Sequence, residues 1–467
     1  MDESILLESG ERVIVAVPQG EPCVFNKPRL EFIRPKWTDD ADAKQCLYCQ
    51  SKFTQLRRKH HCRACGRLFC SKCCNDKTVL THLGINDFER TCIICKPILI
   101  LMTKAFSQDM KLKEEAAAGF QDLIQHVNHM QELLESGGLH TLIWLCGVSS
   151  PRIYKPVVSA LHTLATQASL QKYLLNAGIV QALSSVMKNV NSSEQIFTDC
   201  ISTLLILNST EQAVRMAVMN GGLTSILGSI SKVDELTRLL SLQVVSRMCI
   251  IDECHSAIMD NYSTVTYFSS LAASSQDLQI STLVFTILGE ISAGERLSHK
   301  VILAQAESNT TYISQSLVRV KSSELLSIIS CLLANLASVS ETQTYLSGTL
   351  CKLKSHVEDP SKPYYVHVVR ALANFSRFPQ NSYSLMEYIP LVVKEIAKLS
   401  DKDCLNFSLC LVTNLLEQSA EEASEHICRS DCKMFLTRLM QTSRVASTVS
   451  AILSSSVAAT ARPPLKQ

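Results

Sequence analysis

The sequence has no apolar stretch of about 18 residues, which excludes a single membrane-spanning helix. It has almost no net charge, +2 over 467 residues. That excludes a chain that traps polyanions through bulk charge, and equally an acidic-tail protein. The first residues, MDESILLESGERVIVAV, have acids where a secretion signal needs bases, and no long apolar core. A chain outside the secretory route keeps its thiols reduced, so disulfides are not expected among the 20 cysteines. No GxSxG, P-loop or paired catalytic carboxylate pattern occurs, and no sustained heptad. Beyond Pro97, glycine and aromatic residues become sparse. Leu, Ile, Val, Ala and Ser take over there at helical spacing, as far as about residue 455.

What is present is concentrated. Ten cysteines lie at or before Cys95. From Leu30 to Lys96 there are thirteen Lys and Arg against seven Asp and Glu, a local +6, so the remainder carries −4. Eight of these cysteines form four C-x-x-C pairs: Cys46/Cys49, Cys62/Cys65, Cys70/Cys73 and Cys92/Cys95. Two residues between thiols make a knuckle that aims both sulfurs at one metal, and eight thiolates suit two tetrahedral zinc ions. So short a segment cannot bury an adequate apolar core, which gives structural metal a purpose. Cys23 and Cys74 are read as bystanders, Cys74 pointing away from the ligand beside it. The ten later cysteines have no pairing and read as small core residues.

Between the knuckles, Arg57, Arg58, Lys59, His60, His61 and Arg63 crowd a rigid backbone, and no acid occurs between Lys44 and Asp76. A merely soluble surface would intersperse acids. This density of donors suits recognition of a phosphate group.

The long region repeats itself. SALHTLATQ (159–167), ISTLLILNS (201–209), SCLLANLAS (330–338), VRALANFSR (369–377) and CLVTNLLEQ (410–418) align on Leu164, Leu207, Leu336, Phe375 and Leu415. Weaker copies, LQVVSRMCI (242–250) and VFTILGEIS (284–292), fill the gap. Gly138, Gly178 and Gly222 mark a second series, 40 and 44 residues apart. A helical pattern with this period means an α-solenoid. The glycines serve a tight turn or a close approach of helices. The motifs resemble armadillo repeats, about seven copies.

Residues 31–98 closely resemble the FYVE zinc-finger family. WTDD (37–40), RKHHCR (58–63) and RTC (90–92, with Thr91 for the usual valine) match its three signatures, and the cysteine spacing agrees throughout. The resemblance implies cross-braced zinc sites: Cys46, Cys49, Cys70 and Cys73 on one, and Cys62, Cys65, Cys92 and Cys95 on the other. Spacing alone does not give this pairing. It also implies phosphatidylinositol 3-phosphate on early endosomes as ligand. Arg58, Lys59, Arg63 and Arg90 would hold phosphate, and His60, His61 and Asp40 the inositol hydroxyls. A carboxylate such as Asp40 accepts from a free hydroxyl but repels a second phosphate. Gln55 and Leu56 would form the tip of a membrane-inserting loop, with Phe53 packed beneath it and Trp37 positioning Asp40.

The expected fold class is therefore mainly α: a small cross-braced two-zinc FYVE-type module followed by an armadillo-like α-solenoid. The expected divisions are an irregular arm (1–30), the zinc finger (31–98), the solenoid (99–455) and a flexible tail (456–467). The expected function is a cytoplasmic, non-enzymatic adaptor, peripheral on early endosomes, with two structural zinc ions and an unidentified protein partner on the solenoid. A RING-like ubiquitin ligase also cross-braces two zinc ions, but usually with a histidine ligand and without the RKHHCR run. A nucleic-acid binder would need interleaved aromatics or a longer basic surface. Asn335, Asn374 and Asn414 recur one residue before the aligned apolar position. Asparagine is a poor helix former, so each either caps a loop within its own repeat or, as the armadillo resemblance implies, bonds the backbone of an extended partner.

Overall fold

In the computed structural model the structure describes residues 4–460, apart from 126–129, 192–193, 209, 306, 397–400, 430 and 443–445. The chain divides into two compact units, Met1–Ile251 and Asp252–Gln467. Among the described residues no single helix is long and apolar enough to cross a membrane.

The first unit opens with a two-stranded hairpin, β1 (Ile5–Leu6) and β2 (Arg12–Val13). Irregular chain follows to Phe32, but it is pinned rather than loose. Val13, Val15, Val24, Leu30 and Phe32 are buried. The Ala16 and Val24 N–H groups donate to the Leu134 and Ala177 carbonyls, both at 2.9 Å. The Trp144 indole donates to the Lys27 carbonyl at 2.8 Å. Phe32 makes edge contacts with His82 of the cysteine-rich segment and His140 of the first helical repeat. Burial holds both imidazoles at a pKa of about 4, with the Lys27 charge adding to the effect at His140, so they are neutral packing groups at pH 7.

The cysteine-rich segment contains β3 (His60–His61), β4 (Leu68–Phe69), β5 (Asp76–Leu80) and β6 (Ile85–Thr91). β3 pairs with β4 and β5 with β6, both antiparallel. Helices Lys96–Ala105 and Met110–Gln125 lead into helical triplets spanning 130–165, 168–207 and 211–248. The second unit holds five more, at 252–293, 297–336, 340–375, 379–418 and 420–460. Within each unit the third helices of successive triplets pack on one another. Three-helix repeats of this period are armadillo-like. They number eight among the described residues, one more than the motifs indicate, because the last triplet carries no recognisable motif. Its final helix, Ala446–Thr460, runs past residue 455.

Local chemistry sets the repeat. Third helices begin at capping side chains: Asp234 accepts from the Thr237 N–H, Asp277 from Gln279 and Ile280, Ser322 from Leu325, and Asp401 from Cys404. Each helix then buries one stripe, as Ile153, Val157, Leu161 and Leu164 do in the helix Pro151–Ala165. The double glycines divide the work that the sequence left open. Gly137 and Gly221 take left-handed φ of 89° and 82°. Gly138 and Gly222 instead start a helix where a Cβ would come within 2.7 Å of the Leu133 side chain and 3.0 Å of the Ala217 carbonyl, respectively.

Gly137→Ala is expected to destabilise the first unit by about 1–3 kcal/mol from backbone strain, before any clash. A Cβ there would sit 2.5 Å from the Phe32 ring, so the arm must shift as well. Chemical denaturation of the variant, with a probe in the first unit, measures this.

Candidate functional site

The knuckles form because the chain turns back on each cysteine. The Cys46 N–H bonds the Ser51 carbonyl and the Gln50 N–H returns to Cys46. In the same way Cys62 bonds Arg67 and Gly66 returns to Cys62. Gln50 and Gly66 occupy equivalent positions, both left-handed, at φ 55° and 70°. At Gly66 a Cβ would lie 2.7 Å from the Lys36 carbonyl, so only glycine fits.

Two thiol groups result: Cys46, Cys49, Cys70 and Cys73, and Cys62, Cys65, Cys92 and Cys95. Within each, all sulfurs lie within 4.8 Å of one another. The first knuckle pairs with the third and the second with the fourth, which is the cross-brace the family resemblance implies. The donor chemistry fits a divalent cation. Hydrogen bonds from Cys65, and then Cys74, hold Cys62 far below the usual thiol range. Cys65 and Cys95 are pushed up, in both cases first by Cys62. Four thiols so close cannot all ionise unless a cation supplies the missing charge, and zinc does this. The Ser51 hydroxyl helps hold Cys49 at about 6.

Cys74 differs from the expectation that it points away. It is fully buried, and its thiol hydrogen-bonds Cys62 of the other group. The backbone after Cys73 curls back, with the Cys74 N–H on the Cys70 carbonyl, which swings the side chain across to the second site. Its carbonyl accepts from the Arg90 guanidinium at 2.9 Å.

The basic strand lies on this frame. Arg63 N–H donates to the Arg90 carbonyl at 2.9 Å, so the residue just after Cys62 and the end of β6 are held side by side. The Lys59 ammonium bonds the Asp40 carbonyl. His61 Nε2 is 2.8 Å from the Thr38 carbonyl and 3.7 Å from Asp40 Oδ1. Trp37 stacks on His61 at 4.6 Å between centroids, and the Arg63 guanidinium lies 4.5 Å from the same ring. Asp40 is thus carried beside the basic residues by its neighbours Trp37 and Thr38. Partial burial, then the charges of Arg90 and Arg58, lower the His60 pKa. Arg63 Nε also meets Glu89 Oε2 at 3.4 Å, a contact with no signal in the sequence.

Thr54 and Arg57 exchange two backbone hydrogen bonds of 3.1 Å, closing a tight loop with Gln55 and Leu56 at its tip. Leu56 is 100% exposed, while Phe53 is half-buried with the Lys59 ammonium 5.7 Å from its ring. The segment is fastened to the first repeat by Arg67, whose Nη2 lies 2.6 Å from both Glu135 oxygens.

In the second unit the three asparagines occupy equivalent places. The Asn335 amide donates to Ser292 Oγ at 3.0 Å, Asn374 to the Ala334 carbonyl at 2.8 Å and Asn414 to Ser376 Oγ at 2.9 Å. Each bond reaches back one repeat. Asn335 Oδ1 also accepts from Arg370 at 2.9 Å. Their amide nitrogens are struts between repeats, a role distinct from capping within one repeat.

Residues 36–100 match the family model of the FYVE zinc finger. Over 62 residues the chain is 48% identical to zinc finger FYVE domain-containing protein 16 of Mus musculus, covering 13% of this chain and 4% of that protein. Over 68 residues it is 40% identical to 1-phosphatidylinositol 3-phosphate 5-kinase of Homo sapiens, covering 15% of this chain and 3% of that protein. The shared stretch is a small part of either relative, and the kinase shares the zinc-finger segment alone. A solved engineered protein superposes with a TM-score of 0.59 at 19% identity, covering 78% of this chain and 88% of its own, a likeness of fold.

Chelation is expected to remove two zinc ions per chain, counted by atomic emission, while circular dichroism keeps most of its helical signal. The helices lie in repeats that bury their own apolar stripes, whereas the cysteine-rich segment relies on metal. Asn374→Ala is expected to cost about 1 kcal/mol through the lost inter-repeat bond, read as a lower unfolding midpoint.

Proposed function

With residues 36–100 a FYVE zinc finger, we propose that this chain is a peripheral membrane adaptor. It reads phosphatidylinositol 3-phosphate on early endosomal membranes and holds a protein partner on its armadillo-like solenoid. The observation that carries this reading is that Lys59 and His61 meet Asp40 while Arg63 is bonded to Arg90 and His60 feels the charges of Arg90 and Arg58, next to a closed loop with Leu56 at its tip. Arg58, Lys59, Arg63 and Arg90 hold the phosphates. His60, His61 and Asp40 take the inositol hydroxyls. Gln55 and Leu56 enter the headgroup layer. The zinc ions are structural, and no catalytic step is assigned.

Two further points support an adaptor over an enzyme, whether a RING-like ligase or a kinase. Both thiol groups are all-cysteine, so His60 and His61 remain available to a ligand. The relative named as a kinase shares no more than the lipid-reading segment. The partner reading rests on the second unit, where Asn335, Asn374 and Asn414 form one ladder. Their nitrogens being engaged, Oδ1 of Asn374 and Asn414 are the acceptors offered to the backbone of an extended partner.

Sedimentation of the full chain with vesicles tests the lipid reading. Binding is expected with phosphatidylinositol 3-phosphate and not with phosphatidylinositol. Arg58→Ala or Arg63→Ala should weaken it roughly tenfold or more, the scale of one lost charged hydrogen bond, with zinc unchanged at two per chain. Equal binding to both vesicles would refute the reading.

A further inference from the structure

Arg63 is the most constrained of the proposed phosphate ligands. Its Nη1 donates to the His61 carbonyl at 3.2 Å, its guanidinium lies 4.5 Å from the Trp37 ring centroid, and its Nε faces Glu89 Oε2 at 3.4 Å. Both partners of that ion pair are about a third exposed, at 35% and 36%, so the pair is open to an arriving ligand. The backbone brings the two side chains together. Arg63 N–H bonds the Arg90 carbonyl, and Glu89 is the residue before Arg90 on β6. The other acids nearby are engaged elsewhere: Asp76 with Lys96, Glu31 with Arg29, and Asp40 beside His61. Among the described residues, Glu89 is the carboxylate paired with an arginine of the lipid-binding set.

We propose that Glu89 is a built-in competitor for the phosphate, occupying Arg63 in the lipid-free protein and setting the affinity of the site. This rests on the lipid reading above. A phosphate that approaches Arg63 must displace the carboxylate or bind within its repulsion. Either way free energy is lost that Arg63 would otherwise contribute, and headgroups with more negative charge lose more. The competitor keeps binding of a single head weak and reversible. It also holds the Arg63 side chain in place when no lipid is present, so the donor is ordered before the membrane arrives.

The experiment is vesicle sedimentation of the full chain, comparing wild type with Glu89→Gln and Glu89→Ala on vesicles containing phosphatidylinositol 3-phosphate. Asp87→Asn, an exposed acid on the same strand, controls for bulk charge. Both Glu89 variants should bind about two- to fivefold tighter, the span expected from removing one solvent-screened ion-pair competitor. Their salt dependence should steepen, since one more cation meets the phosphate directly. Zinc content and unfolding midpoint should match wild type. Unchanged or weaker binding by the glutamine variant, with two zinc ions retained, overturns the proposal while the lipid reading stands. So does an equal gain from Asp87→Asn. If wild type itself binds no phosphatidylinositol 3-phosphate vesicle, the lipid reading fails and the competitor role falls with it.

Discussion

Thiolate charge is the constraint on which the cysteine-rich end of this protein depends. Eight sulfurs are drawn into two sets tighter than any four free thiols would tolerate if ionised. A divalent cation removes that repulsion and replaces the core that a segment this short lacks. Everything on the basic face inherits its position from the knuckles. β3 lies immediately before Cys62, β6 ends immediately before Cys92, and Cys74 links the two zinc sites while its carbonyl holds Arg90. The charges that would meet a phosphate are therefore set by metal geometry, not by their own mutual repulsion, which acts to spread them.

The helical repeats solve the opposite problem. They have apolar surface in abundance, and their difficulty is registering one repeat on the next. Stripes such as Ile153, Val157, Leu161 and Leu164 provide adhesion without direction. Direction comes from a few polar contacts of fixed geometry: the Asn335, Asn374 and Asn414 amides, and Arg370 reaching back to Asn335. In the first unit, Phe32, the Val24 N–H and the Arg67–Glu135 pair fasten the arm and the zinc module to the first repeats.

These two parts differ in how far they were legible. The thiol donors and the basic run stood out because their spacing is local: two residues per knuckle and six consecutive positions for the strand. The repeat period was visible for the same reason, since helical patterning acts over three or four residues. The asparagine ladder was visible but its chemistry was not, because the acceptor lies a whole repeat away. The last triplet was missed because stacking on its neighbour, rather than any motif of its own, makes it a repeat. Cys74 was misjudged because alternation along a chain says nothing once the backbone curls back on Cys70.

By itself, the sequence determined the donor set for two metals, the basic composition of the segment between the knuckles, the helical class of the long region and its period of about 40 residues. These follow from short-range rules of spacing and propensity. Tertiary structure alone decided which knuckles share a metal, that Glu89 lies on Arg63, that Cys74 meets Cys62, and that the arm is seated on helices more than a hundred residues away, as Trp144 on Lys27 shows. Each of those contacts joins groups whose separation in the chain exceeds any local pattern. Only the closing of the fold brings them within reach.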